Sequence, residues 1–187
     1  MYKRQTIDSL GSHLSIGGRN VLSRVVVQER PDKILLSFSQ ERLWFIDQLQ
    51  GSLEYHMPFA LRLSGNLDKQ ALSKSLQEVV NRQEVLRTVI YSEEGVGYQK
   101  LLSAEGWELL NKDLTTDNSL LVEEIKSFLS VPFDLSVDYM FRSCLYELGG
   151  EEYVLAGAFH HISSDGWSQG ILVKEFMELY GSYVSGK

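Results

Sequence analysis

Cysteine is nearly missing from this chain: one residue in 187. A lone thiol excludes an intramolecular disulfide and any Cys-rich zinc site. That residue, Cys144, sits in the strand-like run Tyr139 to Tyr146, where a thiol packs as a small apolar group rather than serving as a nucleophile. Long apolar stretches are missing too. None could span a bilayer and the N-terminus has no apolar signal segment, which leaves a cytoplasmic protein with no membrane partner as the expectation. Basic blocks are equally scarce: 18 Lys and Arg stand against 25 Asp and Glu for a net charge of −7, and the densest basic pair is Lys3-Arg4. This balance argues against a nucleic-acid partner. There is no G-x-S-x-G nucleophile elbow, no internal repeat and no low-complexity tract. With 43% hydrophobic and 23% charged residues, what remains is a globular chain long enough for one real core.

Residues 1–33 are irregular, with Gly11, Gly17, Gly18 and Arg30-Pro31-Asp32, and read as a linker or the tail of something upstream. Regular patterning starts at Ile34. Ser37-Phe38-Ser39-Gln40-Glu41, followed by Arg42 to Leu49, reads as a helix capped by a serine with acid in its first turn. Met57 to Leu63 reads as a strand, and Asp68 caps a helix with Leu72, Leu76, Val79 and Val80 on one face. Leu86 to Tyr91 and Tyr98 to Leu102 form strands joined across Gly95 and Gly97, with a further short strand over Trp107 to Leu110. Ser119 opens a helix that Pro132 stops. Met140–Leu148 and Glu152–Phe159 make a hairpin through Gly149-Gly150. A final helix over Trp167–Tyr183 buries Ile171, Leu172, Phe176 and Leu179. The mixture is α/β, a mixed sheet covered by helices.

The stretch "AFHHISSDGWS", residues 158–168, concentrates the candidate chemistry. Tyr153 to Phe159 is nearly all apolar, as expected of a central strand buried on both faces. His160 and His161 end it, and successive strand side chains point to opposite faces, so the two rings are poorly placed to share a metal. Asp165 can cap the following helix or meet a cation, and Gly166 allows a sharp turn or close approach of a ligand. From the residues alone two readings stand. One is a pair of satisfied strand-end histidines followed by a cap and a turn. The other is a histidine acting on a nucleophile that belongs to the substrate, since no catalytic triad is present.

"HHISSDGWS" resembles the HHxxxDG signature of condensation domains of nonribosomal peptide synthetases, which share the chloramphenicol-acetyltransferase fold. "LSFSQERLWFIDQL" (36–49) resembles that family's S-x-x-Q-x-R-L-W motif and "NRQEVLRTVI" (81–90) its R-H-E-x-L-R-T motif, with "MPFALRLSGNLD" (57–68) fitting the strand between. Three motifs in order, over residues 34–187, imply the N-terminal lobe of such a domain, with the C-terminal lobe missing. Residues 1–33 then become a linker or remnant of an upstream carrier domain, since "SLGSHLSIGG" resembles a carrier's serine-bearing stretch and Ser15 falls near its attachment position.

The resemblance implies roles. His161 matches the catalytic position, as base or as positioner of the attacking amine, and an imidazole suits either task. His160 and Asp165 match supporting positions, the aspartate paired with an arginine for which Arg82 and Arg87 are candidates. Gly166 matches the glycine beside the pantetheine channel. Gln83 departs from the family's histidine, keeping hydrogen-bonding capacity without a protonation switch. The implied reaction joins a carrier-bound acyl or peptidyl thioester to a carrier-bound amine, in the subtype joining two L-residues. Phosphopantetheine arrives on upstream and downstream carriers, beside an adenylation domain, and no metal or directly bound cofactor is implied. Rival readings are a coenzyme A-dependent acyltransferase of the same superfamily and a catalytically silent binding fragment. Trp44 and Trp167 read as core or interface aromatics, Glu123-Glu124 as a solvated helix face, and His56 as a loop residue without a role.

Overall fold

The most apolar run of the sequence becomes the centre of the molecule. In the computed structural model, which describes residues 29–186, it forms β7 (Glu152–His160). A four-stranded sheet surrounds it in the order β2 (His56–Ser64), β7, β6 (Phe141–Gly149), β5 (Leu110–Asp113). β7 pairs antiparallel with both neighbours, whereas β5 runs parallel to β6, so the sheet is mixed. Alternation along β7 divides its side chains between two layers. Tyr153 and Leu155 pack with Leu72, Leu76, Val79 and Val80 of α2 (Lys69–Arg82) and with Leu172, Phe176 and Leu179 of α4 (Gly166–Val184). Val154 and Ala156 pack on the other face with Leu121, Ile125 and Phe128 of α3 (Leu121–Leu129). Gly157 has no room for a side chain: an added Cβ would lie 2.6 Å from Phe59 and 2.8 Å from the Arg142 carbonyl oxygen. The β6–β7 turn uses left-handed backbone at Gly149, Gly150 and Glu151.

A second, three-stranded sheet runs β1 (Ile34–Leu35), β4 (Val96–Leu101), β3 (Thr88–Glu93), all antiparallel. Its Val89 and Ile90 form a cluster with Phe133, Leu135, Met140 and Ala158, against which Trp44 and Ile162 pack. Trp44 lies on α1 (Phe38–Gln50) and approaches Gly97 so closely that a Cβ there would stand 3.1 Å from its ring. Helix α2 begins where Asp68 accepts from the Ala71 N–H at 2.9 Å, and its expected apolar face is fully buried.

Several boundaries differ from the sequence-based expectation, each for a local reason. A 3-10 turn over Glu84–Arg87 precedes β3; Leu86 is wholly buried there and its carbonyl accepts from Met140 at 2.8 Å. Trp107 and Leu109 are buried without being in a strand, because the indole N–H donates to the Phe141 carbonyl at 2.7 Å and anchors the loop ahead of β5. Asp117 takes the Ser119 N–H at 2.9 Å, so α3 opens at Leu121 instead of Ser119. On α4, Leu172, Phe176 and Leu179 face the core, but Ile171 is 57% exposed. Trp167 is 86% exposed, which excludes a core role. Glu124 is half-buried and pairs with Lys112, while Glu123 is exposed. Cys144 is buried, and that burial pushes its thiol pKa up. No helix among the described residues is long and apolar enough to cross a membrane. The readings placed on residues 1–28, including Ser15, lie outside the described residues.

Candidate active site

The two adjacent histidines part company where β7 ends. His160 is fully buried, and His161 is exposed in the turn that follows. The His160 backbone N–H donates to the Met140 carbonyl at 3.0 Å and that of His161 to the Tyr55 carbonyl at 2.8 Å. The ring of His160 is hydrogen-bonded on both nitrogens: Nδ1 accepts from the Ile162 N–H at 3.1 Å, and Nε2 faces Ser52 Oγ at 2.9 Å. Its carbonyl accepts from Ser163 N–H and Oγ, both at 3.0 Å, closing the turn. Burial, with the neighbouring His56 and His161 rings, pushes its pKa down to about 4. His160 is therefore neutral near pH 7, a structural pin for the turn.

His161 has no such partners. Its imidazole makes no hydrogen bond to the described residues and opens on a cleft of about 580 Å³, lined also by Ser39, Arg42, Tyr55, Ser164 and Asp165. The cleft's far side is helix α1, and the first motif explains how that helix is held. Ser37 Oγ accepts from the Gln40 N–H at 3.3 Å while Gln40 Oε1 accepts from the Ser37 N–H at 2.9 Å, so S-x-x-Q is a capping box. Within the same motif Arg42 and Leu43 line the cleft and Trp44 fastens the helix to the three-stranded sheet.

Asp165 proves to be a cap. Its carboxylate accepts from the Ser168 N–H at 2.8 Å, and Ser168 Oγ accepts from the Asp165 N–H at 2.9 Å. These bonds, and to a smaller extent His161, hold its carboxyl below the usual carboxylate range. The expected ion pair of Asp165 with Arg82 or Arg87 does not form. Arg82 bridges to Glu175 on α4 at 3.0 Å, and Gln83 donates to the same carboxylate at 2.7 Å, so the residue that departs from the family pattern still joins α2 to α4. Arg87 is largely buried and donates to the Leu102 carbonyl at 2.9 Å and the Asn81 carbonyl at 3.3 Å. Both arginines stiffen the frame and neither faces the cleft. Gly166 is the first residue of α4, and an added Cβ would meet nothing within 4 Å. Its own chain therefore gives no packing reason for glycine.

Sequence reading gave no role to Asp47, which lies in the quoted 36–49 stretch after the matched S-x-x-Q-x-R-L-W residues, or to Ser52, which lies just past it. Ser52 is 2% exposed and donates to Asp47 Oδ1 at 2.5 Å, joining the end of α1 to His160. His56 also has a place: it packs edge-on against Phe133 at 4.8 Å and near His160 at 5.8 Å between ring centroids, with both nitrogens buried and unpartnered among the described residues.

The mixed α/β layering agrees with what the chain resembles. The model of the condensation domain matches residues 30–187. A dimodular nonribosomal peptide synthase of Bacillus subtilis is 34% identical over 195 residues, covering all of this chain and 8% of that protein. Two solved structures share the fold. The starter condensation domain of rhizomide synthetase gives a TM-score of 0.75 at 18% identity, over 84% of this chain and 39% of that one. The first condensation domain of the CDA synthetase gives 0.71 at 22% identity, over 84% and 42%. The chain belongs to the condensation-domain family. It spans less than half the length of these solved domains and under a tenth of that synthase.

Proposed function

We propose that this chain supplies the histidine-bearing part of a condensation domain that forms an amide bond in nonribosomal peptide synthesis. The donor is an acyl or peptidyl group held as a thioester on the phosphopantetheine arm of an upstream carrier. The acceptor is the amine of an aminoacyl group on a downstream carrier, and an adenylation domain acts in the same assembly. One observation carries the reading: in the HHxxxDG stretch of a family member, the second ring stands unpartnered on an open cleft while the first is locked beneath it.

The chemistry asked of His161 is modest. The amine nitrogen attacks the thioester carbonyl, the C–N bond forms, the C–S bond breaks, and the amine loses a proton while the pantetheine sulfur leaves as a thiol. A free imidazole nitrogen at the cleft rim can hold the amine in line or take that proton. We assign Gly166, around which an added Cβ would meet nothing within 4 Å, to the path of the pantetheine arm from its match to the family's glycine, and serine hydroxyls at 39, 164 and 168 give the cleft polar surface. We assign Asp165 to shaping the turn as a helix cap, with His160 as its buried pin. The subtype we propose is the one joining two L-residues, supported by the wording "ISSDGWS" and the first motif. The reading is tested in a condensation domain containing this chain, offered an L-configured or a D-configured donor on its carrier, or the same acyl group on coenzyme A. Amide formation from the L-donor carrier is expected. Turnover from coenzyme A alone with a free amine would replace the reading with that of a soluble acyltransferase.

A further inference from the structure

Resting on the reading of His161 as the transfer residue, we propose that Asp47 and Ser52 are positioning residues that lock His160 as its Nε2–H tautomer and so fix the turn presenting His161. The hydrogen-bond directions follow from the chemistry of the groups. The Ile162 N–H can only donate, so His160 Nδ1, 3.1 Å away, carries no proton. A neutral ring then has its proton on Nε2, which must donate to Ser52 Oγ at 2.9 Å. Ser52 has one hydroxyl proton, and Asp47 Oδ1 at 2.5 Å takes it. Every donor in this line has one acceptor, and the line runs from the last turns of α1 through a buried serine into the wall behind His161.

Asp47 sets the sense of the whole line. Without its carboxylate, the Ser52 hydroxyl is free to donate to Nε2 instead, moving the ring proton to Nδ1. That proton would then face the Ile162 N–H, donor against donor, in a site where His160 is wholly buried. The turn would have to open, and His161, one residue along, moves with it. His56 and Arg142 lie on the Phe133 side of the same pocket, His56 with its ring 5.8 Å from His160 and Arg142 with its guanidinium 4.3 Å from the Phe133 ring centre. No other carboxylate contacts Ser52 or His160 among the described residues.

The test uses the 187-residue chain labelled with 15N-histidine. The wild-type spectrum must place the His160 proton on Nε2, and a proton on Nδ1 overturns the proposal without any variant. Asp47→Ala should give a mixture of tautomers and raise amide exchange of Ile162 about tenfold, with the exchange of Leu145 and Leu155 in the central strands unchanged. Ser52→Ala should speed Ile162 exchange similarly, and Ser52→Thr, which keeps the hydroxyl, should restore the wild-type signature. An Asp47→Ala chain with wild-type tautomer and exchange overturns it. In a condensation domain containing this chain, Asp47→Ala should lower kcat about tenfold with the apparent KM for either carrier unchanged. An altered tautomer with unchanged kcat removes the positioning role. The spectroscopic readouts involve no substrate, so they survive even if the transfer reading fails.

Discussion

Acid should loosen this protein well before its carboxylates titrate, and the cause is His160. Its pKa falls from an ordinary 6.5 to about 4 in the folded chain, through burial first and then the nearby His56 and His161 rings. In the unfolded chain the same imidazole takes its proton near pH 6.5. A folded pKa below the unfolded one means that stability is fully present above pH 6.5 and is lost as pH falls toward 4. Over that window the loss amounts to about 3 kcal/mol, at 1.36 kcal/mol per pH unit. His56, whose pKa is also lowered by burial and by Arg142, adds a loss of the same sign. Asp134 and Asp165 are held below the usual carboxylate range and act only at lower pH. Urea unfolding of the wild type and of His160→Asn at intervals from pH 7.5 to 4.5 separates the contributions, since His56 is common to both. The variant starts less stable at pH 7.5 and should lose about 2 kcal/mol less on acidification than the wild type. Equal losses in the two proteins would show that the buried ring does not govern acid stability.

Further expectations follow from individual positions. Gly157→Ala should destabilise by about 1–3 kcal/mol in urea, because its Cβ would press on Phe59 and on the Arg142 backbone in the central strand. Cys144 should resist a thiol reagent in the native chain and react fully once urea unfolds it. Gly166→Ala should leave the melting temperature within a degree or so, since its Cβ meets nothing, yet slow amide formation in a condensation domain containing this chain. Unchanged turnover there would separate Gly166 from the pantetheine path.

Much of this architecture was legible because periodicity and apolar runs report burial directly. Tyr153–Phe159 reads as a strand buried on both faces, and β7 is one; the α2 stripe of Leu72, Leu76, Val79 and Val80 is likewise the core face. The three motifs pointed to a candidate site, and the structure supplies their local physics: Ser37 and Gln40 make a reciprocal cap, Arg82 and Gln83 share Glu175, and His160 pins the turn. What the sequence could not disclose depended on partners distant along the chain. Asp165 has a local partner in Ser168 that competes with any arginine, and Arg82 finds Glu175 across two helices. The line from Asp47 through Ser52 to His160 spans over a hundred residues and follows no periodic pattern. Helix α4 was harder because its outward face carries Trp167, Ile171, Val173 and Met177, so apolar spacing there does not mark the core side.

The central claim is that one exposed imidazole on the cleft serves the transfer, and His161→Ala tests it most directly. In a condensation domain containing this chain, with both carriers loaded and their loading verified, the variant should retain its fold while amide formation falls about 10²- to 10⁴-fold. Turnover equal to the wild type with correctly loaded carriers would contradict the account.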